Sequence, residues 1–132
     1  MTGEEARVEV IAWWLEKADE ALASADSELA AGRCSFAVNR AYYAAFYAVS
    51  AALLREGARY TKHSGVRAAM HRDLVKTGRL PEGSGRAFDR LFESRQRADY
   101  GELVAVEAEQ ARELCELAHG LVAEVRRMID EG

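Results

Sequence analysis

The chain has 132 residues, the length of one domain, and we expect a single helical domain over residues 1–132. With 49% apolar and 30% charged residues it has the composition of a soluble globular protein, and no apolar run reaches the ~20 residues of a membrane span. The formal charge of −4 argues against a protein that coats nucleic acid through an all-over cationic surface. The acidic N-terminus lacks a signal-peptide pattern, so we expect a cytoplasmic protein.

The first predicted helix has one continuous apolar face. Its apolar residues recur at alternating spacings of three and four, at Val8, Ile11, Leu15, Ala18, Leu22, Ala25 and Leu29. That period is typical of an amphipathic helix with one side in a core. Gly32 is predicted to end this helix.

Shorter helices are predicted in the middle of the chain. Serine caps indicate helices over 35–55 and 64–76, and each is followed by a glycine that can end it. Residues 80–85 combine proline, serine and two glycines, which predicts a turn or mobile loop. A further helix is then expected over 86–98.

The last predicted helix repeats the pattern of the first. Apolar residues recur from Val104 to Ile129 at spacings of four and three, and Gly101 separates this helix from the preceding one. No segment alternates with the period of a strand. The sequence therefore predicts an all-α fold, an up-down bundle of four to five helices.

One face of the second predicted helix is unusually polar. Asn39, Tyr43 and Tyr47 follow one another at spacings of four, and Arg40 lies beside them. One interpretation is structural, with the tyrosines packed and their hydroxyls at the edge of the core. The other is a ligand-binding face. Tyr42, on the neighbouring face, is interpreted as core.

Two further polar clusters stand out. Arg95 and Asp99 are four residues apart and can form an ion pair, with Arg97 and Tyr100 beside them. This cluster is interpreted either as a salt bridge at a helix end or as a site. Lys62 and His63 precede a predicted helix start, where cationic neighbours and free backbone N–H groups favour an anion.

Three runs of the sequence together resemble the HEPN domain superfamily, nearest its UPF0332-like branch. They are NRAYYAAFYA at 39–48, KHSGV at 62–66 and RLFESRQRADYG at 90–101. The resemblance covers nearly the whole chain. It implies a helical bundle that commonly dimerises, often a metal-independent ribonuclease toxin, and often encoded beside a nucleotidyltransferase that acts as antitoxin.

The sequence departs from the usual motif of that superfamily. There, an arginine is followed after four to six residues by a histidine, whereas Arg95 is followed after four residues by Tyr100. Arginine suits the charge of a phosphate. Tyrosine, with a pKa near ~10, suits a base role at neutral pH less well than histidine. Arg95, Asp99 and Tyr100 are the candidate catalytic residues, and His63 is a base that folding can bring near them.

Three functions stay open at this point. The first is a partner module that pairs with a nucleotidyltransferase and binds RNA or a nucleotide through Asn39, Arg40, Tyr43, Tyr47, Lys62, His63 and Arg97. The second is a ribonuclease toxin, and the third a scaffold without ligand. We expect no metal and no cofactor. We also expect the chain to form a homodimer. Residues 33–100 carry 13 basic and 6 acidic side chains, a charge of +7 that favours a local phosphate-bearing ligand.

Overall fold

Five helices make up the computed structural model, which describes residues 2–58, 62–100 and 105–132, the side chain of Tyr100 excepted. In chain order they are α1 (Gly3–Ala30), α2 (Cys34–Arg55), α3 (His63–Ala69, continued to Val75), α4 (Glu82–Tyr100) and α5 (Ala108–Glu131). These described ranges contain no strand. The predicted all-α bundle is therefore confirmed. Within the same ranges, no helix has both the length and the apolar character that crossing a membrane requires.

The second helix is the centre of the bundle. It packs against α1, α3, α4 and α5, and more than half of its residues are buried. Its small side chains allow this close approach, because seven alanines are fully inaccessible: Ala37, Ala41, Ala44, Ala45, Ala48, Ala51 and Ala52. The large buried residues Tyr42, Phe88 and Leu91 fill the space between α2 and α4. The polar face of α2 is thereby brought against the C-terminal half of α4.

The starts of the first three helices are only partly as the sequence predicts. α1 begins with a capping box in which Thr2 accepts a hydrogen bond from the Glu5 backbone N–H at 3.0 Å. The buried face of this helix starts at Ile11, because the predicted face residue Val8 is exposed. α2 begins one residue before Ser35, with Arg33 at the N-cap position. α3 likewise begins before Ser64. The two predicted serine caps are therefore wrong.

The predicted loop over 80–85 is also wrong in its second half. α4 begins at Glu82, and Ser84 is 5% exposed. Gly85 lies so close to α3 that a Cβ on it would be 3.0 Å from the His71 ring. The glycine thus serves close packing, not a turn. α5 begins at Ala108, four residues after the predicted start, and Gly101 and Val104 lie outside the described residues.

The continuation of α3 is a π-helical segment, Met70–Val75. Here the Lys76 backbone N–H donates to the His71 carbonyl oxygen at 2.9 Å, five residues back instead of four. The wider turn keeps Met70 and Leu74 fully buried. It also places His71 within 2.9 Å of Asp89 on α4.

Candidate functional site

Arg95 lies at the centre of the candidate site, between α4 and α2. Its side chain is only 17% exposed, and its guanidinium carbon lies 5.4 Å from the ring centroids of both Tyr42 and Tyr43. Nη2 donates to the Tyr43 hydroxyl at 3.3 Å. Two aromatic rings thus hold a mostly desolvated cation in one position, which strengthens its interaction with any anion that reaches it.

Asp99 and Asn39 also hold the Arg95 guanidinium in place. Asp99 Oδ2 lies 2.9 Å from Arg95 Nε, and it accepts a hydrogen bond from Asn39 Nδ2 at 3.3 Å. Arg40 in turn donates to Asn39 Oδ1 at 2.6 Å. Arg95 Nε is buried and has no well-oriented hydrogen-bond acceptor among the described residues, so its pairing with Asp99 is electrostatic. The predicted ion pair between Arg95 and Asp99 is confirmed.

Folding brings His63 to this cluster from α3. Its ring stacks on Phe46 at 4.2 Å, and its Nδ1 lies 2.7 Å from the Tyr42 hydroxyl. Burial and the nearby charge of Arg95 lower the pKa of His63, whereas burial raises the pKa of Tyr42 and outweighs the opposite effect of Arg95. Because a buried hydroxyl without an acceptor is costly, we assign the Tyr42 phenol as the donor and His63 Nδ1 as the acceptor.

The stability of the fold is expected to fall as the pH drops below about 6.5. The pKa of His63 is lowered from 6.5 on folding, so its contribution is complete above 6.5 and is lost as the pH falls through the folded value. Urea unfolding of the wild type between pH 7.5 and 5 will measure this slope. His63→Gln should flatten it. Equal slopes in the wild type and His63→Gln would contradict the assignment.

A second network, which was not predicted from the sequence, joins α3 to α4. Arg67 donates to Asp89 and to Glu93, both at 2.9 Å, and its guanidinium lies 4.6 Å from the Phe92 ring centroid. His71 also donates to Asp89. Burial opposes ionisation of Asp89, but the bonds from His71 and Arg67 outweigh it and lower its pKa. Two carboxylates pair with the positive charge of Arg67, whereas only one pairs with that of Arg95 among the described residues. Arg95 is therefore the better site for an anion.

The other predicted site residues are not all part of the Arg95 cluster. Tyr47 packs on Tyr43 at 5.9 Å, and exposed Lys62 precedes His63 at the start of α3. Arg97 lies on another side of α4, at a small cavity of about 50 Å³. The side chain of Tyr100 and residues 59–61, which include the basic Arg59, fall outside the described residues. Tyr42 is in the core, as the sequence predicts, but the sequence interpretation missed that its hydroxyl also holds His63.

Known proteins are similar to this chain in fold and in sequence. The HEPN domain family model matches residues 11–128, which span nearly all of the five-helix bundle. The chain belongs to the HEPN domain family. A crystal structure of TT1696 from Thermus thermophilus superposes with a TM-score of 0.76 at 24% identity, covering 89% of this chain and 97% of that one.

Two relatives are similar in sequence over most of their length. A "UPF0332 protein" of Thermotoga maritima is 42% identical over 122 residues, 92% of each chain. A Methanocaldococcus jannaschii protein named "putative toxin" is 31% identical over 105 residues, 80% of this chain and 71% of its own. The predicted resemblance to the UPF0332-like branch is therefore confirmed.

Proposed function

We propose that this protein binds single-stranded RNA through a phosphate at the cluster of Arg95, Asp99, Asn39, Arg40 and Tyr43. The observation that carries the proposal is Arg95 itself, a guanidinium that is 17% exposed, held between two tyrosine rings and paired with one carboxylate. Holding an arginine side chain in one conformation before the ligand arrives lowers the entropic cost of binding. Arginine is also well suited to phosphate because its planar fork can donate two parallel hydrogen bonds.

The distribution of charge supports a phosphate-bearing ligand of limited size. Residues 33–100 carry a formal charge of +7, and the remainder of the chain carries −11. A local cationic region on an acidic body favours one or a few phosphates, because coating a duplex requires many contacts. Exposed Arg40 adds a second cation at the cluster, held next to Asn39.

The system in which this binding operates is proposed to be of the toxin–antitoxin type. The support is the family membership together with a relative that is named as a toxin. In such a system the chain forms a homodimer and pairs with a nucleotidyltransferase. Copurification of the tagged chain with a nucleotidyltransferase encoded next to it is the test, and separate elution of the two proteins at micromolar concentration would contradict the pairing.

One observation favours RNA cleavage as a second candidate function. His63 and Arg95 both contact Tyr42 and Tyr43, so the fold supplies a histidine beside the arginine although none follows it closely in sequence. A neutral imidazole can exchange protons near pH 7, and the guanidinium can stabilise charge on the phosphate. In this arrangement Asp99 is a positioning residue.

RNA binding is expected to be measurable and salt-dependent. A fluorescent ten-nucleotide RNA should bind with an affinity that falls by roughly 3- to 20-fold between 50 and 200 mM salt, as expected for one to three phosphate contacts. A hairpin duplex of the same length should bind more weakly, and excess ATP should compete if a single nucleotide suffices. Gel analysis of the same samples reports cleavage. Absence of binding at 50 mM salt would overturn the proposed function.

A further inference from the structure

A groove between α1 and α2 opens beside the Arg95 cluster. Its volume is about 520 Å³, within the range of ~300–1,000 Å³ that is typical of ligand sites. Arg40 and Tyr43 line it and also belong to the cluster. On α1 its lining extends from Lys17 to Ser24, which is about 10 Å along the helix. The groove therefore leads away from the proposed phosphate site along the surface.

Four aromatic rings form a row from the cluster to the outer surface of α1. Ring centroids are 5.9 Å apart between Tyr43 and Tyr47, 5.6 Å between Tyr47 and Trp14, and 5.0 Å between Trp14 and Trp13. Trp13 ends this aromatic row and is 49% exposed. Core packing does not explain a tryptophan at this position, since half of its surface faces solvent.

A cation accompanies the exposed ring. Lys17 Nζ lies 5.6 Å from the Trp13 ring centroid, and the same side chain lines the groove. Its ammonium also lies 3.5 Å from the Glu20 carboxylate, an exposed pair of little stability. An exposed indole beside an ammonium group suits a nucleotide as ligand, because the base can stack on the ring while the phosphate pairs with the ammonium.

We propose that this groove and the Trp13 ring next to Lys17 together bind a second nucleotide of the strand whose phosphate lies at Arg95, with its base stacked on Trp13 and its phosphate near Lys17. The inference rests on the proposed function and specifies its ligand. Only an unpaired base exposes a face to an aromatic side chain, so the aromatic row selects single-stranded over duplex RNA. Stacking tolerates all four bases, and the groove is accordingly expected to show little sequence preference.

The test compares variants of Trp13 in RNA binding. Trp13→Ala should weaken binding of a fluorescent single-stranded RNA hexamer about tenfold, the effect expected for one stacked base. Trp13→Phe keeps an aromatic face and should recover most of the affinity. Val8→Ala, the matched control, removes an exposed apolar side chain from the same helix and should bind like the wild type.

Hexamers with a single abasic position, moved along the strand, identify the stacked nucleotide. For the wild type, one abasic position should lower the affinity by about the same factor as Trp13→Ala does on the intact RNA. On the RNA with that abasic position, Trp13→Ala should lower the affinity no further. Unchanged binding of Trp13→Ala, or an equal additional loss on every abasic RNA, would overturn the inference. If the wild type binds RNA through Arg95 and Trp13→Ala binds equally well, the proposed function stands and this inference alone fails. An absence of RNA binding by the wild type would overturn both.

Discussion

Replacing Arg95 with alanine is expected to reduce the affinity for single-stranded RNA by roughly 10- to 150-fold. Hydrogen bonds to a charged group are worth about 1.5–3 kcal/mol, and a factor of ten in Kd corresponds to about 1.4 kcal/mol. The guanidinium already lies between two tyrosine rings, so little reorganisation opposes this gain. The dependence of log Kd on log salt should also become shallower by about one phosphate contact.

Two further variants make the Arg95 result specific. Arg95→Lys keeps the charge but loses the planar fork, so its affinity should lie between those of the wild type and Arg95→Ala. Arg86→Ala removes an equal charge from the same helix at a site whose side chain is 76% exposed, and it should bind within about twofold of the wild type. Fluorescence anisotropy gives the affinities and circular dichroism checks the fold. Equal losses of affinity for Arg86→Ala and Arg95→Ala would show that RNA responds to the overall positive charge of the helix and not to a site at Arg95.

Tyr42 is expected to be the most sensitive position for stability. Its side chain is fully buried and packs on Tyr43, Phe46, Phe88, Phe92 and His63. Tyr42→Ala should lower the free energy of unfolding by about 3–5 kcal/mol, as large aromatic truncations do. Because small domains are stable by only about 5–15 kcal/mol, this one substitution removes a large part of the total.

The hydroxyl of Tyr42 can be tested apart from its ring. Tyr42→Phe leaves His63 Nδ1 without its partner at 2.7 Å and should cost about 1–2 kcal/mol. Tyr47→Phe, a half-buried tyrosine on the same helix, should change the free energy of unfolding by less than about 0.5 kcal/mol. Urea unfolding at pH 7.5 measures all three variants. A Tyr42→Phe protein as stable as the wild type would show that the hydroxyl does not contribute to holding His63.

Hydrophobic periodicity predicted the long helices well, because a bundle core selects the same face over many turns. The faces of α1 and α5 lie where the spacing of three and four residues puts them, apart from Val8 and Ala108, which are exposed, and Val104, which lies outside the described residues. Local propensity failed at residues 82–85. Glycine and serine there favour a loop in isolation, yet contact with α3 stabilises a helix and requires the absence of a Cβ at Gly85.

The candidate site was predictable only where its residues share an element. Asn39 and Tyr43 on α2, and Arg95 and Asp99 on α4, are one turn apart, and their spacing indicates a common face. The approach of His63 depends on how α3 packs, which no local pattern encodes. Arg67 and His71, and likewise Asp89 and Glu93, are also four residues apart. Opposite charges at the same spacing on two helices were a signal for the second network that the sequence interpretation did not use.

The π-helical segment Met70–Val75 bears on how related chains should be aligned. Its hydrogen bonds span one residue more than those of an α-helix, so the segment holds one residue that an uninterrupted α-helix of the same height would not need. A homologue one residue shorter here can therefore keep the rest of the bundle and differ only in this turn. An alignment gap is expected inside the segment, and placing it in the following loop would misalign by one residue the positions between the two, among them the fully buried Leu74.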